Sequence, residues 1–385
     1  MSPVGPSPAA RPAGTAPRPP GPRAPLAAAL AALAAAACSA GSPDFAVRPV
    51  PPGPAPAPFA AAFRAAHVGD MGEYGAQQAE VSRALAAEAR ARPLDLVVHA
   101  GDNLYECGPD AARPGADACA FAADGSTVER PGSGPEDPRF AWNLERALEP
   151  VRRDGRPVPV LLVLGNHDVA AWGSCARGGD PAAVARTKAC LEVARVSPQW
   201  SMPGRHWVVD RGPVRLIGID SNLLKRDYGG FTFEGEEAFV REVAAPCAER
   251  LCFLVSHHPS ASAGEHRGDA TPAYLERVRR LEAAAGGRIA AWLSGHEHQL
   301  EHLRSPSGTE VFISGNAARG RPQERFSAVS VPGTRLLFAS TAWGFGVLEV
   351  GDGAWSYRFV NSRGEAIHCC AAAGRAPCEP VACAP

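Results

Sequence analysis

The 385-residue sequence predicts an α/β fold, and three observations carry that prediction. Short apolar, β-prone runs alternate with Ala-, Arg- and Glu-rich stretches of helical character. The runs are almost continuously apolar, as strands covered on both faces are. The last portion has a different pattern, in which strand follows strand with turn residues and no helix between, as antiparallel strands closing a second sheet do.

Taken in order, the first sixty residues are a different polymer from the rest, dominated by Pro, Ala and Gly. Arg11, Arg18 and Arg23 precede the apolar run "PLAAALAALAAAACSAG" at 25–41. A basic segment, a short apolar segment and small residues together make an export signal. The run is shorter than the roughly 20 residues a spanning helix needs. Cys38 stands where a bacterial lipoprotein carries its lipidated cysteine, but Ala35 replaces the usual leucine, so lipid anchoring at Cys38 and ordinary cleavage both remain open. Segments 1–41 and 42–62 therefore read as an export signal and a Pro/Ala-rich linker. A folded domain is expected over 63–366, and a Cys-rich tail over 367–385.

Within the domain, "FRAAHV", "LDLVVHA", "VPVLLVLG", "VRLIGID", "LCFLVSHH" and "RIAAWLSG" read as strands. Helical segments fall around 76–92, 137–153, 181–195, 234–249 and 270–285. "TEVFISGN", "TRLLFAST", "FGVLEV" and "AWSYRFV" supply the closing strands. The stretch 108–136, rich in Gly, Pro, Asp and Ala, reads as a long loop.

Lys+Arg 39 against Asp+Glu 40 leaves no electrostatic case for nucleic acid or an anionic membrane surface as partner. Of eleven cysteines, setting Cys38 aside leaves an even number, as in exported chains whose thiols pair off. Cys107/Cys119, Cys175/Cys190 and Cys247/Cys252 are close in sequence and stand as partners, with Cys369, Cys370, Cys378 and Cys383 in the tail; connectivity stays open. There is no CxxC pair, and thiols in an oxidising compartment are consumed as disulfides, so a thiolate metal site is not the first reading.

Almost every strand ends in Gly, Asp, Asn or His. Five ends carry "VGDMG" (Asp70), "GDNLY" (Asp102, Tyr105), "GNHD" (Asn166, His167, Asp168), "VSHHP" (His257, His258) and "SGHEH" (His296, His298). Each alone is an ordinary turn or helix cap. Together they sit where ligand-binding loops converge in α/β sheets. Two aspartates, an asparagine, three histidines and a tyrosine suit Fe, Zn or Mn. Seven ligands overcrowd one ion, whereas two ions sharing a carboxylate use them all, and paired metals are an apparatus for phosphoester displacement.

This set, over about residues 63 to 365, resembles the calcineurin-like metallophosphoesterases and, within them, the purple (tartrate-resistant type) acid phosphatases. Most of the superfamily has a histidine two residues after the first aspartate and no tyrosine; here Gly72 and Tyr105 are the paired replacement of the purple branch. The resemblance implies a four-layer α-β-β-α sandwich of two mixed sheets with the dinuclear metal site at the strand carboxyl ends. It implies Asp70, Tyr105, His298 and one oxygen of Asp102 on a first metal, Fe(III), with Tyr105 as a phenolate. Asp102, Asn166, His257 and His296 are implied on a second metal, Fe(II), Zn or Mn, with His258 as the alternative to His257.

A phosphomonoester would then be hydrolysed by attack of a metal-activated hydroxide. His167 is suited to protonate the leaving group, with Asp168 expected to hold its ring. The family also implies a second proton donor, His266 in "SAGEHRG". His67 and His99 lie inside apolar strands and read as core residues; Arg267 and Arg319 are given no site role. The resulting expectation is an exported (periplasmic, secreted or lipid-anchored) phosphatase acting on a small phosphoester or a phosphoprotein. A phosphodiesterase or nucleotide hydrolase on the same metal core, and a catalytically silent binding module, are the alternatives.

Overall fold

Parallel strands form the centre of each of the two large sheets in the computed structural model, and antiparallel strands form their edges. The structure describes residues 46–54, 60–132, 136–321, 329–351 and 353–383, all within one compact unit, Asp44–Pro385. The segment read as an export signal, with Arg11, Arg18, Arg23 and Cys38, lies outside the described residues.

In one sheet Phe63–Val68, Leu96–His99, Val160–Leu162 and Trp200–Ser201 run parallel, flanked by the antiparallel series Gly344–Gly351, Ala354–Asn361, Ala366–Ala373 and Glu379–Val381. In the other, Val214–Gly218, Leu251–Val255, Ile289–Ser294 and Glu310–Ser314 run parallel. Central strands such as 63–68 and 251–255 are buried at every position; 251–255 is accordingly an unbroken apolar run, whereas 63–68 carries Arg64 and His67 among its apolar residues. Helices Phe233–Val243 and Pro272–Ala285 bury Phe233, Val240, Val278 and Leu281 against Ile217, Leu254 and Trp292 of this second sheet. Thr271 caps the latter helix by accepting from the Tyr274 N–H, with Pro272 at the first helical position. Between the sheets, Phe312 stacks on Tyr357 with ring centroids 3.8 Å apart and Phe253 meets Trp355 edge-on at 5.5 Å. On the first sheet, helix Ala76–Ala91 is tied down by Glu88, which takes Arg64 at 2.8 Å and Arg358 at 2.6 Å. No helix among the described residues is long and apolar enough to cross a membrane.

Several expected boundaries move. Ala46–Val47, expected within the linker, pairs antiparallel with Arg335–Ser340 and forms a sheet edge. The Cys-rich tail is not an appendage: the expected break at 366/367 falls inside strand Ala366–Ala373, and Glu379–Val381 adds the outermost strand. The helical stretch expected around 137–153 shortens to Phe140–Leu148. Disulfides Cys107–Cys175 and Cys119–Cys190 replace the expected Cys107/Cys119 and Cys175/Cys190 pairs. Loop 108–132 is thereby stapled to the 173–176 turn and to helix Pro181–Ala194, because the pairing follows which loops meet in space rather than nearness in sequence. Cys247–Cys252 pairs as expected, and Cys369–Cys383 and Cys370–Cys378 close the tail.

His67 and His99 are buried, as strand residues of an apolar core should be. Burial holds both rings down to about 3. Unfolded His67 takes up a proton near pH 6.5 and the folded residue only near 3, so between these values the unfolded state binds more protons. Stability therefore falls as pH drops through that window, by up to about 1.4 kcal/mol per pH unit for each such histidine. His67→Gln is expected to flatten the decline of the urea midpoint as pH falls from about 6.5 toward 4.5; an unchanged slope would assign the acid sensitivity to other groups.

Candidate metal centre

Five loops converge at the carboxyl ends of the central strands, three from the sheet containing 63–68 and two from the sheet containing 251–255. Asp70, Asp102 and His296 all adopt left-handed backbone conformations (φ 56°, 53° and 67°), which cost non-glycine residues energy and gather at functional positions. The loops hold one another there. The Asp70 N–H donates to the Gly101 carbonyl (3.0 Å), and the His296 N–H donates to Asp70 Oδ2 (2.8 Å). The His167 N–H donates to Asp102 Oδ1 (3.0 Å).

The side chains form two groups with Asp102 between them. In the first, the Tyr105 hydroxyl lies 2.9 Å from Asp70 Oδ1 and 3.1 Å from His298 Nε2, which is 3.3 Å from Asp70 Oδ1. Asp70, Asp102 and His257 each offer an atom within 4.8 Å of the others, which places Asp102 beside both groups. In the second, His257 Nε2 lies 2.9 Å from Asn166 Oδ1, 3.2 Å from His296 Nδ1 and 3.4 Å from Asp102 Oδ1.

The protons in the second group can be counted. His257 Nδ1 faces the Ala100 carbonyl at 2.9 Å and so carries the ring proton; His296 Nε2 faces Asp269 Oδ2 at 2.8 Å and does the same. Neutral rings then leave two bare nitrogens, the Asn166 oxygen and the Asp102 carboxylate pointing at one another with no hydrogen between them. Donor atoms roughly 2.0–2.2 Å from a common ion stand about 3 Å apart, so these residues fit a cation. The first group fits one as well. Burial pushes the Asp70 carboxyl up to about 7 and the Tyr105 phenol far above its usual range, with Asp102 and Asp70 adding to the latter. A cation bound between them would supply the positive charge that reverses both shifts. At Asp102 burial pushes the carboxyl upward, and the His167 N–H at 3.0 Å pulls it down.

Gly72 explains how Tyr105 reaches the centre. A Cβ at residue 72 would stand 2.3 Å from the Asn103 carbonyl, because the 102–105 backbone occupies the space a side chain would need. The Tyr105 N–H donates to the Gly72 carbonyl at 3.0 Å, fixing the approach. Gly72→Ala is expected to destabilise the protein by about 1–3 kcal/mol, the usual cost of overpacking, and to weaken metal binding at the Tyr105 group. An unchanged urea midpoint would show that the loop can yield.

Three expected roles change. Asp168 does not hold the His167 ring. It is fully buried under the loops, accepting from the Gly165 and Leu104 N–H groups (2.6 and 2.9 Å) and from Asn103 Nδ2 (2.9 Å), and burial pushes its carboxyl well up. Glu106, which sequence reading missed, takes that place: its carbonyl accepts from His167 Nδ1 at 2.6 Å. His266 does come beside His296, with ring centroids 4.3 Å apart, but its Nε2 faces Arg321 at 2.9 Å and burial holds it down to about 4. At mild pH it has no proton to give from that atom. His258 is buried next to the second group, with Nδ1 on Ser221 Oγ (3.1 Å) and Nε2 without a hydrogen-bond partner, while His257 points into the centre. Arg319, given no role from the sequence, lies 3.8 Å over the Tyr105 ring and is paired with Glu73 and Glu106.

Comparison with known proteins agrees with this geometry. The calcineurin-like phosphoesterase model matches residues 63–300. The tartrate-resistant acid phosphatase type 5 of Rattus norvegicus is 22% identical over 336 residues, covering 80% of this chain and 89% of that protein; the Homo sapiens protein is 21% identical over 253 residues, 60% and 71% of the two chains. Two solved structures share the fold. One is the Plasmodium protein described as GAP50, the anchor in the inner membrane complex (TM-score 0.57, 16% identity, 83% of this chain and 89% of that one). The other is the purple acid phosphatase PPD1 of yellow lupin (TM-score 0.54, 14% identity, 84% and 57%). With the matched segment spanning more than half of the sequence, the chain belongs to the calcineurin-like phosphoesterase family.

Proposed function

We propose that the protein is an exported dinuclear-metal phosphatase of purple acid phosphatase type, hydrolysing phosphomonoesters. The observation that carries the reading is the convergence of side-chain nitrogen and oxygen atoms into two groups flanking Asp102, with a tyrosine in one of them. Asp70, Tyr105, His298 and Asp102 would hold the first ion, and Asp102, Asn166, His257 and His296 the second. A tyrosine donor favours Fe(III) in the first place, with Fe(II), Zn or Mn in the second. When bound, two cations supply Lewis acidity toward a phosphoryl group and a water of lowered pKa.

The chain supplies the rest. The Glu106 carbonyl fixes the His167 ring through Nδ1, which leaves Nε2 as the atom free to hand a proton to a departing alkoxide. That ring packs 4.6 Å from Tyr105, at the edge of the first group, and is partly open to solvent. Arg319 lies over the Tyr105 ring at 3.8 Å, its charge balanced by Glu73 and Glu106. The five disulfides among the described residues suit an oxidising compartment, which supports export.

The test is hydrolysis by the metal-loaded protein of 4-nitrophenyl phosphate and bis(4-nitrophenyl) phosphate side by side. Faster cleavage of the monoester is expected. Preference for the diester would move the assignment to a phosphodiesterase, and two bound metals with neither activity would favour a binding module.

A further inference from the structure

We infer that Asp269 is a positioning residue of the second metal group, holding His296 by accepting its Nε2–H and so committing Nδ1 to the metal. The inference rests on the reading that Asn166, His257 and His296 bind an ion. His296 is nearly fully buried, and its ring is fixed at the rear by Asp269 Oδ2 at 2.8 Å. Asp269 ends the short turn Glu265–Asp269, just before the Thr271 cap of helix Pro272–Ala285. It is therefore presented from a short helical turn that leads into that capped helix.

The partner histidine shows what is distinctive. His257 is held at its rear nitrogen by a neutral carbonyl, that of Ala100. His296 is held by a carboxylate, which fixes the same tautomer and also makes the imidazole a stronger donor. Lys225 Nζ lies 2.9 Å from the same Asp269 oxygen and moderates that charge. His266, Asp269 and His296 also lie close enough to hold an ion of their own, but the contacts argue against one. The Lys225 ammonium already occupies the oxygen, and His296 would have to bind two cations through one ring.

The experiment is a titration of the metal-free full chain with Zn(II), read by chelator competition, using Asn166→Ala to identify the second site. Asp269→Ala is expected to weaken that site about 10- to 100-fold and to leave the first unchanged. Asp269→Asn, whose amide oxygen can still accept from Nε2–H, should restore most of the loss. Unchanged binding in Asp269→Ala, or an equal loss at both sites, would overturn the inference. Should the alanine variant not fold, Lys225→Met gives an independent reading: freeing the carboxylate is expected to tighten the second site severalfold, and unchanged affinity would count against the role. Because the readout is binding, a chain that takes up Zn(II) normally but hydrolyses no phosphoester would end the phosphatase reading while leaving this one in place.

Discussion

His167→Ala is expected to slow phosphomonoester hydrolysis by roughly 100- to 10,000-fold, the range that general acid–base residues contribute, with both metals retained. The ring of His167 belongs to neither donor group, and what the residue gives to the centre is its backbone N–H on Asp102 Oδ1, which alanine keeps. A leaving-group effect separates proton donation from mere packing. The phenolate of 4-nitrophenyl phosphate departs without much help, whereas an alkoxide needs the proton, so the loss should be larger for an alkyl phosphate. Metal quantification and turnover on both substrates check this. Wild-type rates would remove His167 from the mechanism, and loss of metal would make its role structural.

How far the sequence led depends on what each feature rests on. The strands at 63–68, 96–99 and 251–255 were legible because strands buried on both faces are mostly apolar, and the polar residues that follow them mark the turn to the loops. That two ions would share a carboxylate followed from residue type and number, while the division of the residues between them was implied by the family resemblance. What contact alone decides was not legible. Asp168 follows His167 directly, so it read as the partner of that ring, but its side chain turns down into a carboxylate pocket shared with Asn103 and Glu192. Glu106 acts through its carbonyl, which no side-chain pattern reveals. Asp269 sits on an irregular turn, and only the fold brings it behind His296. Cysteine pairing failed for the same reason: Cys107 and Cys175 are 68 residues apart and meet only because two loops cross the same sheet end. The tail misled because its strand is written in cysteine and alanine, residues with no strong β signal.

Tyr105→Phe is expected to abolish the visible absorption of the oxidised, iron-loaded protein without disturbing the fold. Burial, Asp102 and Asp70 all oppose ionisation of the phenol, so only a strongly Lewis-acidic cation at Asp70 and His298 can take it as phenolate, and a trivalent ion does that best. Phenylalanine removes the oxygen and keeps the ring contacts, edge-on to His298 at 6.2 Å and beneath the Arg319 guanidinium at 3.8 Å. An absorption spectrum paired with metal quantification on the same sample decides it. About one iron and one further metal per chain, with a broad visible band lost in the variant, would place Tyr105 on Fe(III). A band surviving the substitution would refute the ligand assignment. Two metals in the wild-type protein with no band would withdraw the iron–tyrosinate pairing and leave the phosphoesterase reading intact. Arg319→Ala gives the complementary result. A guanidinium over the ring face stabilises the electron-rich phenolate, so removing it should raise the donor level and shift the band to longer wavelength, not eliminate it.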